Sequence, residues 1–298
     1  MIKKKETKLS SPIIFFGTGR SGTSIISEVC MRHKDLGFPS QYQMKFPNNE
    51  LVNYLRRIFD NSIWRFHGQK KQLNKLETFN RYVFRNEENY AMWDRLAGDT
   101  IDFSFGFLID TKATRESAQR IRKYFKKLVK RQGKKRLAFK ITGPSRLEYL
   151  LSIFPDAKLV RIHREPIPTI SSLLKVHFWQ DKGAKKLRWK GAYSEDEIEW
   201  VQQHKLDPVA MTAFQLKKII DTTDEEIKKL GVDVFNVQYG SFLKNPQDTI
   251  KSILEYTCLT HDKACYNYFV KNKVYNRNKQ DNDYFEADDL DTIRKIFA

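Results

Sequence analysis

The chain has 298 residues, 40 % of them hydrophobic, with 21 Phe and 13 Tyr, so a sizeable core can be buried in one large α/β domain or two small ones. The 54 Lys and Arg against 36 Asp and Glu give a formal net charge of +18, which points to an anionic partner (a polyphosphate-like cofactor, an acidic glycan, nucleic acid or a membrane face) or to Lys-rich solvated helix faces. Three cysteines, Cys30, Cys258 and Cys265, exclude a disulfide framework and have no metal-ligand spacing; they read as buried thiols of a reducing compartment.

Residues 1–11 are polar and basic and read as a flexible arm. The apolar run at 12–16 is too short for a signal-peptide core, and no stretch reaches the length of a membrane span. The expectation is a cytoplasmic protein, with peripheral membrane contact through its basic surface left open. Ile13, Ile14, Phe15 and Phe16 form a wholly apolar run ending at a glycine, the pattern of a central parallel strand buried on both faces. Residues 23–32 then read as a helix with Ile25, Ile26 and Val29 on one face, and 49–85 as a helical stretch rich in Phe, Tyr and Arg. A basic helix follows at 114–132, with Gly133 as its stop. Strand 137–141, helix 145–154, strand 158–163 and a helix near 169–177 alternate with short links, as in a βαβ unit with a parallel sheet.

Residues 180–193, Gly- and Lys-rich with a tryptophan, read as a loop or lid. Ser194 and Glu197 form a capping box. Asp207 and Pro208 open a long helix that Gly231 ends, and a strand follows at 232–237. Asn245 and Pro246 start another helix, 272–283 is polar, and a last helix begins near Ala287. The predicted architecture is an α/β three-layer sandwich with a central parallel sheet, as one domain over 12–298 with a helical insertion at about 40–130.

The segment with chemical content is Gly17-Thr18-Gly19-Arg20-Ser21-Gly22-Thr23-Ser24, between a buried strand and a helix. Glycines let the backbone curl so that successive N–H groups face one anion, and the helix N-terminus adds positive dipole. Gly17 and Gly22 have Walker A spacing, yet Thr23 stands where the lysine belongs and the cation is Arg20, inside the loop. The strand 158–163 also lacks the terminal aspartate that holds magnesium in P-loop enzymes. These residues describe a site for an anion handled without a metal.

Gly19-Arg20-Ser21-Gly22-Thr23-Ser24 resembles the 5′-phosphosulfate loop of sulfotransferases that use 3′-phosphoadenosine 5′-phosphosulfate (PAPS). The strand Lys158–His163, followed by Arg164-Glu165-Pro166 and by Ser172 eight residues beyond Arg164, resembles that family's 3′-phosphate motif. The turn Phe154-Pro155-Asp156-Ala157 and the stretch from Tyr239 to Pro246 resemble family segments as well, and Arg277 and Lys279 stand where many members place a basic segment over the 3′-phosphate. The resemblance implies a P-loop-type fold of the bacterial branch. It implies PAPS as co-substrate, held by Gly19, Arg20, Ser21, Gly22, Thr23, Ser24, Arg164, Ser172, Arg277 and Lys279, without a metal. It further implies transfer to a hydroxyl or amine on a glycan, lipid or small molecule.

Lys140 ends its strand and resembles the family lysine that reaches the transferring group; the other reading is an edge lysine snorkelling to solvent. Cytosolic relatives place a histidine base two residues later, where this chain has Thr142, so the base must lie elsewhere. Glu88, in a Glu-x-Tyr pairing followed by Trp93, is the leading candidate, against a solvated glutamate at a helix start. Glu87, Asp94 and His33 are the fallbacks, and His163 reads as structural. Phe178, Trp179, Trp189 and Trp200 read as an acceptor wall or lid, with core packing as the other reading for Trp200. Two other functions compete: a P-loop kinase or NTPase with a degenerate loop, and a non-catalytic basic module for acidic polymers. Neither zinc-finger spacing nor an interleaved aromatic motif favours nucleic acid.

Overall fold

An apolar run without alternation needs cover on both faces, and the sheet supplies it. The structure, a computed structural model, describes residues 10–69, 82–272, 274, 276 and 283–298. The apolar run is β1 (Ile13–Gly17), the middle strand of five. The others are β2 (Leu36–Gly37), β3 (Arg136–Thr142), β4 (Lys158–His163) and β5 (Val234–Gln238), in the order β2-β3-β1-β4-β5 with every pairing parallel. Side-chain parity divides the core. Ile14, Phe16, Phe139 and Ile141 face one helical layer, with Trp93, Phe125 and Tyr149. Ile13, Phe15, Ala138, Val160 and Ile162 face the other, with Ile26, Val29 and Ile253. On the first side Trp93 stacks on Phe103 with ring centroids 4.8 Å apart. Truncating such a filled aromatic position costs about 3–5 kcal/mol.

The chain runs from β1 outward to β2 and β3 on one side and to β4 and β5 on the other. The strand order therefore reverses about β1, and the carboxyl ends of β3, β1 and β4 open onto a common crevice, where open α/β sheets bind ligands. Register places Phe15 between Lys140 and Val160, and Gly17 opposite Thr142.

Local signals set most boundaries. Thr114 caps the helix Arg115–Arg131 through Ser117 N, and Ser194 and Glu197 close a reciprocal capping box on Glu195–His204. Asp207 caps Pro208–Leu230, and Gly231, at φ +58°, ends it. The helix Leu147–Ile153 starts later than its sequence suggests: buried Glu226, on the Pro208–Leu230 helix, accepts from Leu147 N (3.0 Å) and Glu148 N (2.8 Å) and serves as its cap from a distance. The helix predicted near 169–177 starts earlier, as Pro166–Leu174 with proline in its first turn, and a short helix His177–Gln180 follows.

Two expectations fail. The helical stretch at 49–85 is confined to Glu50–Tyr54 and Leu55–Phe59 among the described residues. Asp60 stops it: the Asp60 carboxylate takes Arg56 (2.9 Å), Arg65 (2.9 Å) and Lys134 (2.6 Å), and Asn61 Oδ1 then turns the chain by accepting from Ile63 N and Trp64 N. Cys258 is exposed, after the end of the helix Pro246–Tyr256 with φ +55°, so only Cys30 and Cys265 are buried thiols. Burial holds Cys30 well above its ordinary pKa and pushes Cys265 up to about 12.

Candidate active site

The loop from Gly17 to Gly22 has a shape that side chains would prevent. A Cβ on Gly17, at φ +144°, would lie 2.0 Å from the Ile162 carbonyl oxygen, and one on Gly22, at φ +86°, would lie 2.1 Å from the Tyr239 ring. Arg20 itself is left-handed, at φ +68°, a conformation uncommon outside glycine and asparagine. Thr18 and Ser21 share a hydrogen bond across the loop. Gly22 then opens the helix Thr23–Cys30 with no side-chain cap. The N–H groups of its first turn have no acceptor within the helix.

Two distant segments meet at this loop. Arg20 Nε donates to Ser172 Oγ at 3.0 Å, and Arg164 Nη1 donates to the Arg20 carbonyl oxygen at 3.3 Å. Arg164, buried at the end of β4, also lies 5.5 Å from the centroid of the Tyr239 ring that packs against Gly22. The strand end Arg164, the helix residue Ser172 and loop residue Arg20 thus form one cluster. Arg277 and Lys279, expected beside it, lie outside the described residues.

On the other side of the loop, Lys140 and Thr142 share a face of β3 by the two-residue period of a strand. Lys140 is 3 % exposed and does not snorkel. Its Nζ donates to Ser24 Oγ at 2.7 Å and lies 2.5 Å from Glu88 Oε1. Thr142 Oγ1 donates to Glu88 Oε2 at 2.8 Å. Glu88 precedes the helix Tyr90–Ala97, and left-handed Asn89 (φ +53°) between them turns its carboxylate toward the sheet. The Tyr90 hydroxyl donates to the Thr142 carbonyl (2.6 Å) and accepts from Thr142 N (2.9 Å). Burial, with Glu88 beside it, raises the Tyr90 phenol far above its ordinary pKa. Tyr90 is therefore a neutral strut. Arg146, wholly buried, packs over the rings of Tyr90 and Phe103. Desolvation lowers its pKa, and Tyr90 and Glu88 oppose that shift.

A cavity of about 320 Å³ runs from the start of the loop to Glu88 and Thr142. Thr18, Gly19, Glu88 and Thr142 lie at its polar end, while Phe105, Phe178, Trp179, Trp189 and Leu216 furnish apolar walls. Its volume falls in the range of small-molecule pockets. The predicted wall residues Phe178, Trp179 and Trp189 thus line the cavity. Trp200 does not; it stacks on His204 and Phe214 as a packing residue.

The fallback bases stand apart from the cavity lining. Asp94 accepts from Ser104 N and Oγ, and Glu87 is fixed by its backbone to Pro39. His33 is buried beyond the far end of the Thr23–Cys30 helix, against the Thr260 carbonyl. Desolvation lowers its pKa. His163, at the end of β4, also has a lowered pKa, from partial desolvation and then Arg161. The sequence pairs Tyr90 with Glu88 but does not show its bonds to Thr142, and it singles out no role for Arg146, Ser104 or Arg188. Tyr90 could have been found from the register that puts Thr142 at the strand end, but Arg188 sits in a loop without periodicity. Among the described residues, no group of three or more His, Cys, Asp or Glu side chains is placed to hold a metal ion, and no helix is long and apolar enough to cross a membrane.

A parallel sheet with a glycine loop at its switch point, opening onto a cavity, defines a P-loop-like α/β enzyme fold. Residues 12–263 match the Sulfotransferase family, and the chain belongs to it: the protein is an enzyme of sulfuryl transfer. Among solved structures it is similar to the sulfotransferase STF9 from Mycobacterium avium, at 17 % identity and a TM-score of 0.58 over 97 % of this chain and 75 % of that one. It is also similar to the sulfotransferase domain from the curacin biosynthetic pathway, at 11 % identity and a TM-score of 0.51 over 97 % and 98 % of the two chains. At these identities the likeness is one of fold. No curated protein matches the sequence significantly.

Proposed function

We propose that the enzyme transfers a sulfuryl group from PAPS to a hydroxyl or amine acceptor held in the cavity. The observation that carries this reading is the meeting of Arg20, Arg164 and Ser172, which are far apart in sequence and joined at 3.0 and 3.3 Å. The Arg20 guanidinium on the Ser172 hydroxyl and the Arg164 guanidinium on the Arg20 carbonyl bring two cations to one loop beside an uncapped helix N-terminus, an arrangement that suits a polyanion. The open space beside Gly19, where an added Cβ would meet nothing within 4 Å, leaves room for a ligand to approach the loop backbone.

When bound, PAPS supplies the sulfuryl group and leaves as 3′-phosphoadenosine 5′-phosphate (PAP). In this reading Arg164 and Ser172 hold the 3′-phosphate. The amides of residues 19–24 and Arg20 hold the 5′ end, where negative charge grows as the bond breaks. Lys140 bridges Ser24, on the loop side, and Glu88, on the cavity side. That position suits a cation serving the oxygens in transit. Glu88, oriented by Lys140 and Thr142 Oγ1, accepts the acceptor's proton. Tyr90 keeps the end of β3 rigid behind it.

Thermal or urea denaturation with PAP tests the reading. At a hundredfold excess over its dissociation constant PAP should stabilise the fold by about 2.7 kcal/mol. AMP, which lacks the 3′-phosphate, should do markedly less at the same concentration. Equal stabilisation by the two nucleotides would remove the 3′-phosphate site.

A further inference from the structure

Among the described residues, the cavity walls hold two ionisable side chains besides the neutral phenol Tyr90: Glu88 and Arg188. Lys140 meets the charge of Glu88. Arg188 is different. Its guanidinium carbon lies 5.2 Å from the centroid of Phe105 and 5.0 Å from that of Phe178. Two rings this close shield part of the cation from water, and a guanidinium's forked N–H groups suit a planar two-oxygen anion. Desolvation draws Arg188 below its ordinary pKa.

Nor is Arg188 a wandering surface cation. Its backbone N–H donates to Gln215 Oε1 at 2.8 Å, and Gln215 Nε2 donates to the Gly183 carbonyl at 2.6 Å, so buried Gln215 fastens the loop. Trp179 Nε1 donates to Thr212 Oγ1 at 2.8 Å, and Trp179 packs against Trp189 with centroids 5.4 Å apart. A cation held in place on an apolar wall is a preorganised recognition element, because the cost of ordering it is met in folding.

We propose that the acceptor is a ring-bearing carboxylic acid. Its apolar ring occupies the cavity, its nucleophilic hydroxyl or amine lies at Glu88, and its carboxylate is bound by the edge of Arg188. This assignment rests on the proposed function for its reacting end, and on Arg188 alone for its anionic end. One guanidinium balances one charge. A phosphate monoester dianion would bring surplus negative charge into a cavity that already holds Glu88 and adjoins the donor site, which favours a monoanion, and the flat fork of the guanidinium matches a carboxylate.

Three probes share a ring and a hydroxyl and differ in the tail: para-hydroxyphenylpropionate (anionic), its methyl ester (neutral) and tyramine (cationic). Calorimetric titration of each into the protein, alone and with PAP, reads affinity without turnover. The propionate should bind about tenfold or more tightly than the ester, as for hydrogen bonds to a charged group, with tyramine weakest. Arg188→Gln should collapse the propionate-to-ester ratio toward one, and Arg188→Lys should keep part of it. Equal affinity of propionate and ester for the native protein, or no binding of the propionate, overturns the proposal with no variant needed. An equal loss for all three probes in Arg188→Gln would reduce the residue to packing and also overturn it. PAP titration is a separate axis: its failure sinks the donor assignment while a preference for the anionic tail still stands.

Discussion

Lys140 separates what holds the fold from what performs the reaction. Its ammonium lies 2.5 Å from Glu88 Oε1 and 2.7 Å from Ser24 Oγ, on a side chain 3 % exposed. Lys140→Met preserves length and apolar stem and removes the charge. Glu88 then keeps Thr142 Oγ1 at 2.8 Å but loses its cation. Breaking a fully buried pair costs about 3–5 kcal/mol. Glu88 is 13 % exposed and faces the cavity, so water relieves part of this, and about 1–3 kcal/mol is expected. Turnover should fall about a hundredfold or more if the ammonium serves the transferring oxygens. The double variant Lys140→Met/Glu88→Gln removes both charges. It should regain stability to within about 1 kcal/mol of the native protein, since replacing both partners is far cheaper than stranding one. Its turnover should stay lost. Urea denaturation gives the stability cycle, and single-turnover consumption of PAPS with a phenolic acceptor gives the rate. Normal turnover in Lys140→Met refutes the catalytic assignment. A double variant less stable than both singles refutes the electrostatic coupling.

The other predictions use different parts of the structure. Arg164→Ala should weaken PAP binding by about 2–4 kcal/mol, the range for loss of a charged partner; unchanged affinity in a titration would remove Arg164 from the 3′-phosphate site. Gly17→Ala places a methyl 2.0 Å from the Ile162 carbonyl oxygen. It should destabilise the protein by several kcal/mol, about 3 or more from backbone strain and clash, and normal stability by denaturation would contradict the strand-end geometry. Burial disfavours the charge of Asp60, but Arg56 and Lys134 overcome it and hold the carboxyl well below its usual range. With a depressed folded-state pKa, its stabilisation is present above the ordinary aspartate value of about 4 and is lost as pH falls below it. Asp60→Asn should therefore cost stability at neutral pH and flatten the loss as pH falls below about 4; an unchanged acid limb in urea denaturation would exclude Asp60 as its source.

Much of the frame was legible because it depends on near neighbours. The apolar run at β1, the capping residues Thr114, Ser194 and Asp207, and Gly231 act within one turn of where they stand, so their pattern alone located the elements. The 49–85 stretch was misread because its helical periodicity is cut at Asp60, and what cuts it is an ion-pair cluster including Lys134, 74 residues away. The late start of the Leu147–Ile153 helix has the same kind of cause, a cap supplied by Glu226 from another helix.

The site divides along the same line. Sequence by itself determined the glycine loop after a buried strand, the displaced cation at Arg20 and the parallel order of the sheet, because backbone curl and strand burial are written in consecutive residues. It also nominated Lys140, Glu88, Arg164 and Ser172, but it could not say which would meet. Tertiary structure alone brought Arg20 to Ser172 across 152 positions, joined Lys140 to both Ser24 and Glu88, and set Arg188 beside Phe105 and Phe178 on the cavity wall. The physical reason is that strand ends and loop crossings fix such encounters, and their geometry depends on register and helix packing summed over the whole chain rather than on any local pattern.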